Sequence, residues 1–140
     1  MKNLVIDTNT LIQIISSKRP YHSIYESICD GSYSLCVTTE ILNEYEEILL
    51  RLTRPSTAKA VINAIIENPF TKLITSYFKF GLITSDPDDN KFVDCAIASN
   101  AKFLVTEDRH FDILHEITFP HVDIIGIDDF MTILMNESER

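Results

Sequence analysis

The sequence predicts an α/β domain built on a mostly parallel sheet with helices on both faces. Three observations carry this expectation. Short apolar runs of strand length alternate along the whole chain with longer stretches whose apolar residues recur at helical spacing. The first run, Leu4-Val5-Ile6, is apolar at every position, as a strand covered on both faces requires. The chain has 140 residues, 45% of them hydrophobic, which suits a single core, so one domain over 1–140 is expected.

The elements follow in order. After the strand at Leu4–Ile6, Asp7-Thr8-Asn9-Thr10 leads into an apolar-periodic helix through Ile15. A second helix spans Pro20 to Cys29 and is closed by Gly31, where helices commonly stop. Ser34 to Val37 is a strand, and Thr38 or Thr39 can cap the helix after it. That helix carries Ile41, Leu42, Tyr45, Ile48, Leu49 and Leu52 as one stripe. Pro55-Ser56 restarts a helix that runs to about Asn68, where Pro69 ends it. Leu73 to Tyr77 reads as a third strand, and Ser85 to Asn90 as a loop rich in turn residues. Helix is expected from Asp89 to Ser99, strand from Phe103 to Thr106, and a short helix from Phe111 to Ile117. A fifth strand at Val122–Ile125 and a helix from Asp129 to Met135, capped by Asp128, complete the pattern. There is no internal repeat, low-complexity segment or linker.

Composition narrows the function. The formal net charge of −9 weighs against broad, nonspecific nucleic-acid binding, which wants a basic surface. It is compatible with a site that gathers carboxylates around a cation. Cys29, Cys36 and Cys95 lack zinc-ligand spacing and are odd in number, so they read as reduced, small buried side chains of a cytoplasmic protein. Asp7 interrupts the only N-terminal apolar run before a signal peptide could form, and no apolar stretch is long enough to span a membrane.

In open parallel sheets ligands bind at the carboxyl ends of the strands. Asp7 directly follows the first expected strand, and Thr106, Glu107 and Asp108 lie at the end of the fourth. Asp89 opens the helix before that strand, and Glu40 and Glu44 lie in the first turns of the helix begun near Thr39. One rim of the sheet thus collects several acids, and a divalent cation with oxygen ligands relieves their mutual repulsion. Each acid also has a plain reading, because Asp7, Asp89 and Asp108 all stand just before helices, where aspartate commonly caps. Glu44 and Glu46 flank the apolar stripe on opposite sides, and Glu44 is preferred as the nearer to the rim. Asp94 reads as solvated beside Lys91, and Asp86 and Asp88 as turn-shaping. His110 and His115 are five apart and do not share a helix face. With only three glycines in the chain, there is no glycine-rich phosphate loop.

Four segments, L-V-I-D-T-N, T-T-E-I-L-N-E-Y, D-P-D-D-N-K-F-V-D-C-A and L-V-T-E-D-R-H-F, resemble the motifs of PIN domains, over about residues 2 to 130. They are closest to the branch regarded as VapC-like toxins of bacterial toxin–antitoxin systems. The resemblance implies a three-layer α/β/α sandwich around a parallel sheet of four or five strands, and a ribonuclease dependent on Mg²⁺ or Mn²⁺. It implies catalytic and metal-binding roles for Asp7, Glu44, Asp89 and Asp108. Thr8 or Asn9, and Thr106, match the polar residues beside those acids. Asp94 falls where this branch often carries an acid, which leaves its role open. Glu107 departs from the branch's frequent glycine and stands to crowd or charge the pocket. The resemblance further implies an RNA substrate, a cognate antitoxin and a homodimer. Lys91 and Arg109 are the basic residues nearest the proposed site, ahead of the run Arg51, Arg54 and Lys59.

Three rivals remain. A non-catalytic PIN domain would bind RNA or protein without cleaving, and degenerate members should lose some of the four acids. A phosphatase or phosphotransferase of another doubly wound fold wants a second aspartate two residues after the first, where this chain has Asn9. A phosphorylated receiver wants an acidic pair after the first strand, which supplies only Asp7.

Overall fold

A computed structural model describes residues 2–16 and 21–138. Strands β1 (Lys2–Ile6), β2 (Tyr33–Val37), β3 (Lys72–Leu73), β4 (Phe103–Val105) and β5 (Ile124–Ile125) make a five-stranded sheet in the order β3-β2-β1-β4-β5. Every pairing is parallel. Helices α1 (Thr8–Ser16), α2 (His22–Cys29), α3 (Thr39–Leu52), α4 (Pro55–Glu67), α5 (Asn90–Ala98) and α6 (Ile127–Ser138) supply the crossovers and the C-terminal element. Short 3₁₀ segments occupy Pro87–Asp89 and Arg109–Glu116. Successive side chains of a strand point to opposite faces, and all five residues of β2 are buried. Both faces of the sheet are therefore covered, which is the expected α/β sandwich.

The centre of the core is β1, where Leu4, Val5 and Ile6 are fully buried. It is paired on one side with β2, Leu4 opposite Leu35, and on the other with β4, Ile6 opposite Val105. The α3 stripe seals the sheet with Ile41, Tyr45 and Leu49. The Tyr45 hydroxyl donates to the Ile6 carbonyl at 2.5 Å, which fixes α3 against the end of β1. Thr38 is the residue that caps α3, its Oγ1 accepting from the Ile41 N–H at 3.2 Å.

Several boundaries differ from the expectations. Pro20 lies outside the described residues, and the second helix is described from His22. It ends where expected, with Gly31 at φ +83°. The third strand stops at Leu73 instead of Tyr77. The Ile74 N–H still reaches the Val37 carbonyl at 2.7 Å, but β2 ends there and Thr38 turns into α3, so residues 75–77 have no ladder to join. The fifth strand shortens to Ile124–Ile125 because its partner β4 is three residues long. The helix expected at Phe111–Ile117 is a 3₁₀ segment starting at Arg109, and the C-terminal helix begins at Ile127. Cys36 and Cys95 are buried as expected, whereas Cys29, the last residue of α2, is exposed. Among the described residues no helix is long and apolar enough to cross a membrane.

Candidate metal centre

The order of the sheet reverses between β1 and β4. From β1 the chain moves outward to β2 and β3, and from β4 it moves the other way to β5. A crevice outside the carboxyl ends of the strands at such a reversal is where open parallel folds bind ligands. Asp7 is the first residue after β1, and Thr106 the first after β4, with Asp108 two residues on.

Asp7 is held from both sides. Its Oδ1 accepts the Thr10 N–H at 2.9 Å, and its Oδ2 accepts the Thr106 hydroxyl. The capping reading of this residue is thus correct for one oxygen, while the other is tied to the neighbouring strand. Burial raises its carboxyl above the ordinary aspartate range, the hydrogen bonds with Thr10 and Thr106 oppose the shift, and Asp108 adds to it. Thr106 Oγ1 also accepts the Asp108 N–H at 3.0 Å. One buried hydroxyl therefore sets the relation of two acids. Asp108 caps its 3₁₀ segment through the His110 N–H at 2.9 Å.

Asp89 makes no capping bond. Its Oδ2 is buried and without a hydrogen-bond partner, a state that costs about 1–3 kcal/mol unless something compensates it. Its carboxyl is pushed up to about 6, by burial first and then by the charges of Asp86 and Asp108, with His110 opposing. The residues fit a divalent cation on these grounds. Carboxylate oxygens are the ligands such a cation prefers, they repel one another without it, and one buried oxygen accepts no hydrogen bond.

Two contributors were missed in the sequence. His110 Nδ1 lies 3.1 Å from Asp108 Oδ1, 3.5 Å from Asp89 Oδ2 and 3.6 Å from Asp86 Oδ2. Asp86, Asp89 and His110 each offer an atom within 4.8 Å of the others', so they too can hold a cation. Asp86, expected to shape the turn, closes it through its carbonyl, which accepts the Asp89 N–H at 3.1 Å, and its carboxylate also faces this group. The signal for His110 was its place two residues beyond Asp108 in the loop after β4, not its spacing to another histidine.

Glu44 reaches the same rim from α3. Its Oε2 accepts the Thr8 hydroxyl, and its Oε1 pairs with Lys91 Nζ at 2.5 Å. Lys91 also bonds Asp88 at 3.0 Å, and its side chain is only 14% exposed. The lysine expected nearest to a phosphate is thus engaged with two carboxylates, which hold it protonated against the effect of burial. Arg109 and Asn9 are exposed near the rim. Arg51 pairs with Glu47 on the surface of α3.

Asp94 is not solvated. It is buried at 6% exposure, and its Oδ1 accepts the Phe80 N–H at 3.2 Å. Burial raises its carboxyl above the ordinary range. It lies one helical turn beyond Lys91, against the segment that follows β3, where no periodicity in the sequence pointed. Glu107, expected to load the pocket, turns to α6 and accepts the Ile127 N–H at 2.5 Å.

The sequence profile of the PIN domain family matches residues 3–110. Two solved structures are similar in fold. VapBC2 from Rickettsia felis, bound to a DNA fragment from its promoter, shares 15% identity over 89% of this chain and 98% of that one, with a TM-score of 0.62. DNA-bound VapBC from Salmonella typhimurium shares 20% identity over 91% of this chain and 99% of that one, with a TM-score of 0.62. No curated protein matches this chain.

Proposed function

This chain belongs to the PIN domain family, and on that premise we propose that it is a divalent-metal-dependent endoribonuclease, the toxin of a toxin–antitoxin pair. The observation that carries the reading is the meeting of Asp7, Asp89 and Asp108 at the reversal point of the sheet, with a buried Asp89 oxygen that accepts no hydrogen bond and has only the His110 ring at 3.5 Å. The likeness to two VapBC structures supports the toxin role. A cognate antitoxin, self-association as a homodimer and a cytoplasmic setting belong to the same reading.

Asp7, Glu44, Asp89 and Asp108 would hold Mg²⁺ or Mn²⁺. Such an ion supplies a Lewis acid for the phosphodiester and lowers the pKa of a water. The chain's own residues prepare the site. Thr106 and Thr10 fix the Asp7 carboxylate, and Thr8 and Lys91 fix Glu44. Hydrolysis with the 3′ oxygen as leaving group yields 5′-phosphate and 3′-hydroxyl ends.

The test is cleavage of a mixed RNA pool with Mg²⁺ or Mn²⁺, beside an EDTA control and Asp7→Asn. Cleavage that needs both the metal and Asp7, and leaves 5′ phosphates, is the expected result. A second reading, a PIN domain that binds without cleaving, has one observation in its favour. Lys91 already neutralises Glu44, and His110 already faces three of the acids, so the cluster is partly balanced without a metal. Absence of both cleavage and calorimetric divalent-metal binding would establish that reading instead.

A further inference from the structure

The rim of the sheet has a second opening beside the acid cluster. A cavity of about 440 Å³ lies between the first turn of α3, residues 74–81 and the start of α5, beyond the ends of β2 and β3. The buried Asp94 lines it. One Asp94 oxygen is taken by the Phe80 N–H, and the other accepts no hydrogen bond among the described residues. Hydroxyls of Thr39, Thr75 and Ser76 add neutral donors and acceptors to the lining.

The charges decide what class of ligand fits. Glu40, Asp88 and Asp94 stand against Lys79 and Lys91, and Lys91 is already bonded to Glu44 and Asp88. The lining is acidic on balance. It repels a phosphate and favours a neutral ring that donates hydrogen bonds. The same segment presents large aromatic side chains to solvent: Tyr77 is 85% exposed, Phe78 72% and Phe80 40%. Such rings, grouped on one segment, mark an interaction site, and unpaired bases stack on them whatever their identity. Lys91 joins the two openings, since it lines the cavity and bonds Glu44.

We propose that this cavity is a base subsite for single-stranded RNA adjoining the cleavage site, in which Asp94 accepts a hydrogen bond from the exocyclic amino group of a base splayed out of the strand. Neighbouring bases stack on Tyr77 and Phe78. Cytosine is preferred over uracil, because it offers an amino donor at the ring position where uracil offers a carbonyl oxygen. The inference rests on the ribonuclease reading and adds a basis for sequence preference to it.

The experiment is fluorescence anisotropy with fluorescein-labelled cytidine and uridine decamers, with Ca²⁺ in place of Mg²⁺ to suppress cleavage, on the full chain. Wild type is expected to bind the cytidine decamer roughly 10-fold tighter, by the discrimination one base-edge contact supplies. Asp94→Asn should bring the two affinities within about 2-fold of each other. Asn keeps the acceptor for the Phe80 N–H, and a ratio is insensitive to a partly unfolded sample. Replacing the exposed Tyr77 and Phe78 together by Ala should weaken both decamers by roughly 10-fold and leave their ratio unchanged. Equal binding of the two decamers by wild type, or a ratio unmoved by Asp94→Asn, overturns the subsite; metal-dependent cleavage of the mixed pool would then leave the nuclease reading intact. Asp94-dependent binding of an arginine-rich peptide, with the decamers indistinguishable, overturns it in favour of a protein partner. Failure of both binding and cleavage removes the two readings together.

Discussion

At neutral pH Asp89 ionises in a setting that disfavours its charge, half-enclosed and beside Asp86 and Asp108, with His110 as the opposing group. Its carboxyl moves from an ordinary value of 3.8 to about 6, so the folded chain holds that proton more tightly than the unfolded one. Stability of the metal-free protein should therefore be greatest below about pH 4 with respect to this group and fall as the pH rises towards 6. Asp7, shifted in the same direction, adds to the slope. With the Asp89 side chain 17% exposed, the contribution is bounded at roughly 3 kcal/mol. Melting temperatures in EDTA between pH 4 and pH 8 measure it; Asp89→Asn should flatten the profile, and a profile that rises through this window in wild type would refute the account. Saturating Mn²⁺ should raise the melting temperature most above pH 6, where the carboxylates are free of protons. Thr106 offers a second test at this scale, since its hydroxyl serves both Asp7 and Asp108. Thr106→Val should lower cleavage by about 10- to 100-fold, as lost support of a metal ligand does, and cost about 1–2 kcal/mol in denaturant unfolding. The placement of Asp7 and Asp108 at the carboxyl edge of the sheet was legible because each directly follows, or lies two beyond, a strand end. The burial of Asp94 was not legible, because it is imposed by residues 74–81, a stretch whose path no periodicity encodes.

Among the elements, α6 shows how a departure from a family pattern finds its own use. Glu107 accepts the Ile127 N–H, and a side-chain group added at Gly126 would approach its Oε1 to 3.2 Å. The carboxylate thus sits at the N-terminus of α6, where negative charge is favoured. Glu107→Ala should cost about 1 kcal/mol, the worth of a helix cap, and leave calorimetric Mn²⁺ affinity unchanged; a large change in affinity would place the side chain in the metal pocket after all. The long helices were read correctly because their stripes and caps are local: Thr38 caps α3, and Pro55 starts α4. The strands at the sheet edges were read too long. Leu73 to Tyr77 has the composition of a strand, yet a strand extends only as far as its neighbour, and β2 turns into α3 at Thr38. That limit belongs to the partner strand and is invisible in the segment itself.

For the molecule as a whole, a net charge of −9 sets how it can meet a polyanion. A protein that neutralises many phosphates loses affinity steeply with salt. Here Lys91 is consumed by internal pairs, and on the proposed reading base contacts and a bound cation carry recognition. The slope of log affinity against log salt should therefore be shallow, no steeper than about −2 for single-stranded RNA. A slope several times steeper would reveal a phosphate-binding face that the distribution of lysine and arginine does not suggest. The parallel order of the sheet was legible from alternation alone, but the reversal between β1 and β4 was not, and it is the reversal that gives the acids a common crevice. It also has a consequence for biosynthesis. Asp7 and Thr106, which share a hydrogen bond, are 99 positions apart, and β1 lies between two partners made after it. During synthesis the acid cluster cannot assemble until β4 and the loop carrying Asp108 have been translated, so any chemistry it supports on the proposed reading begins only after that point.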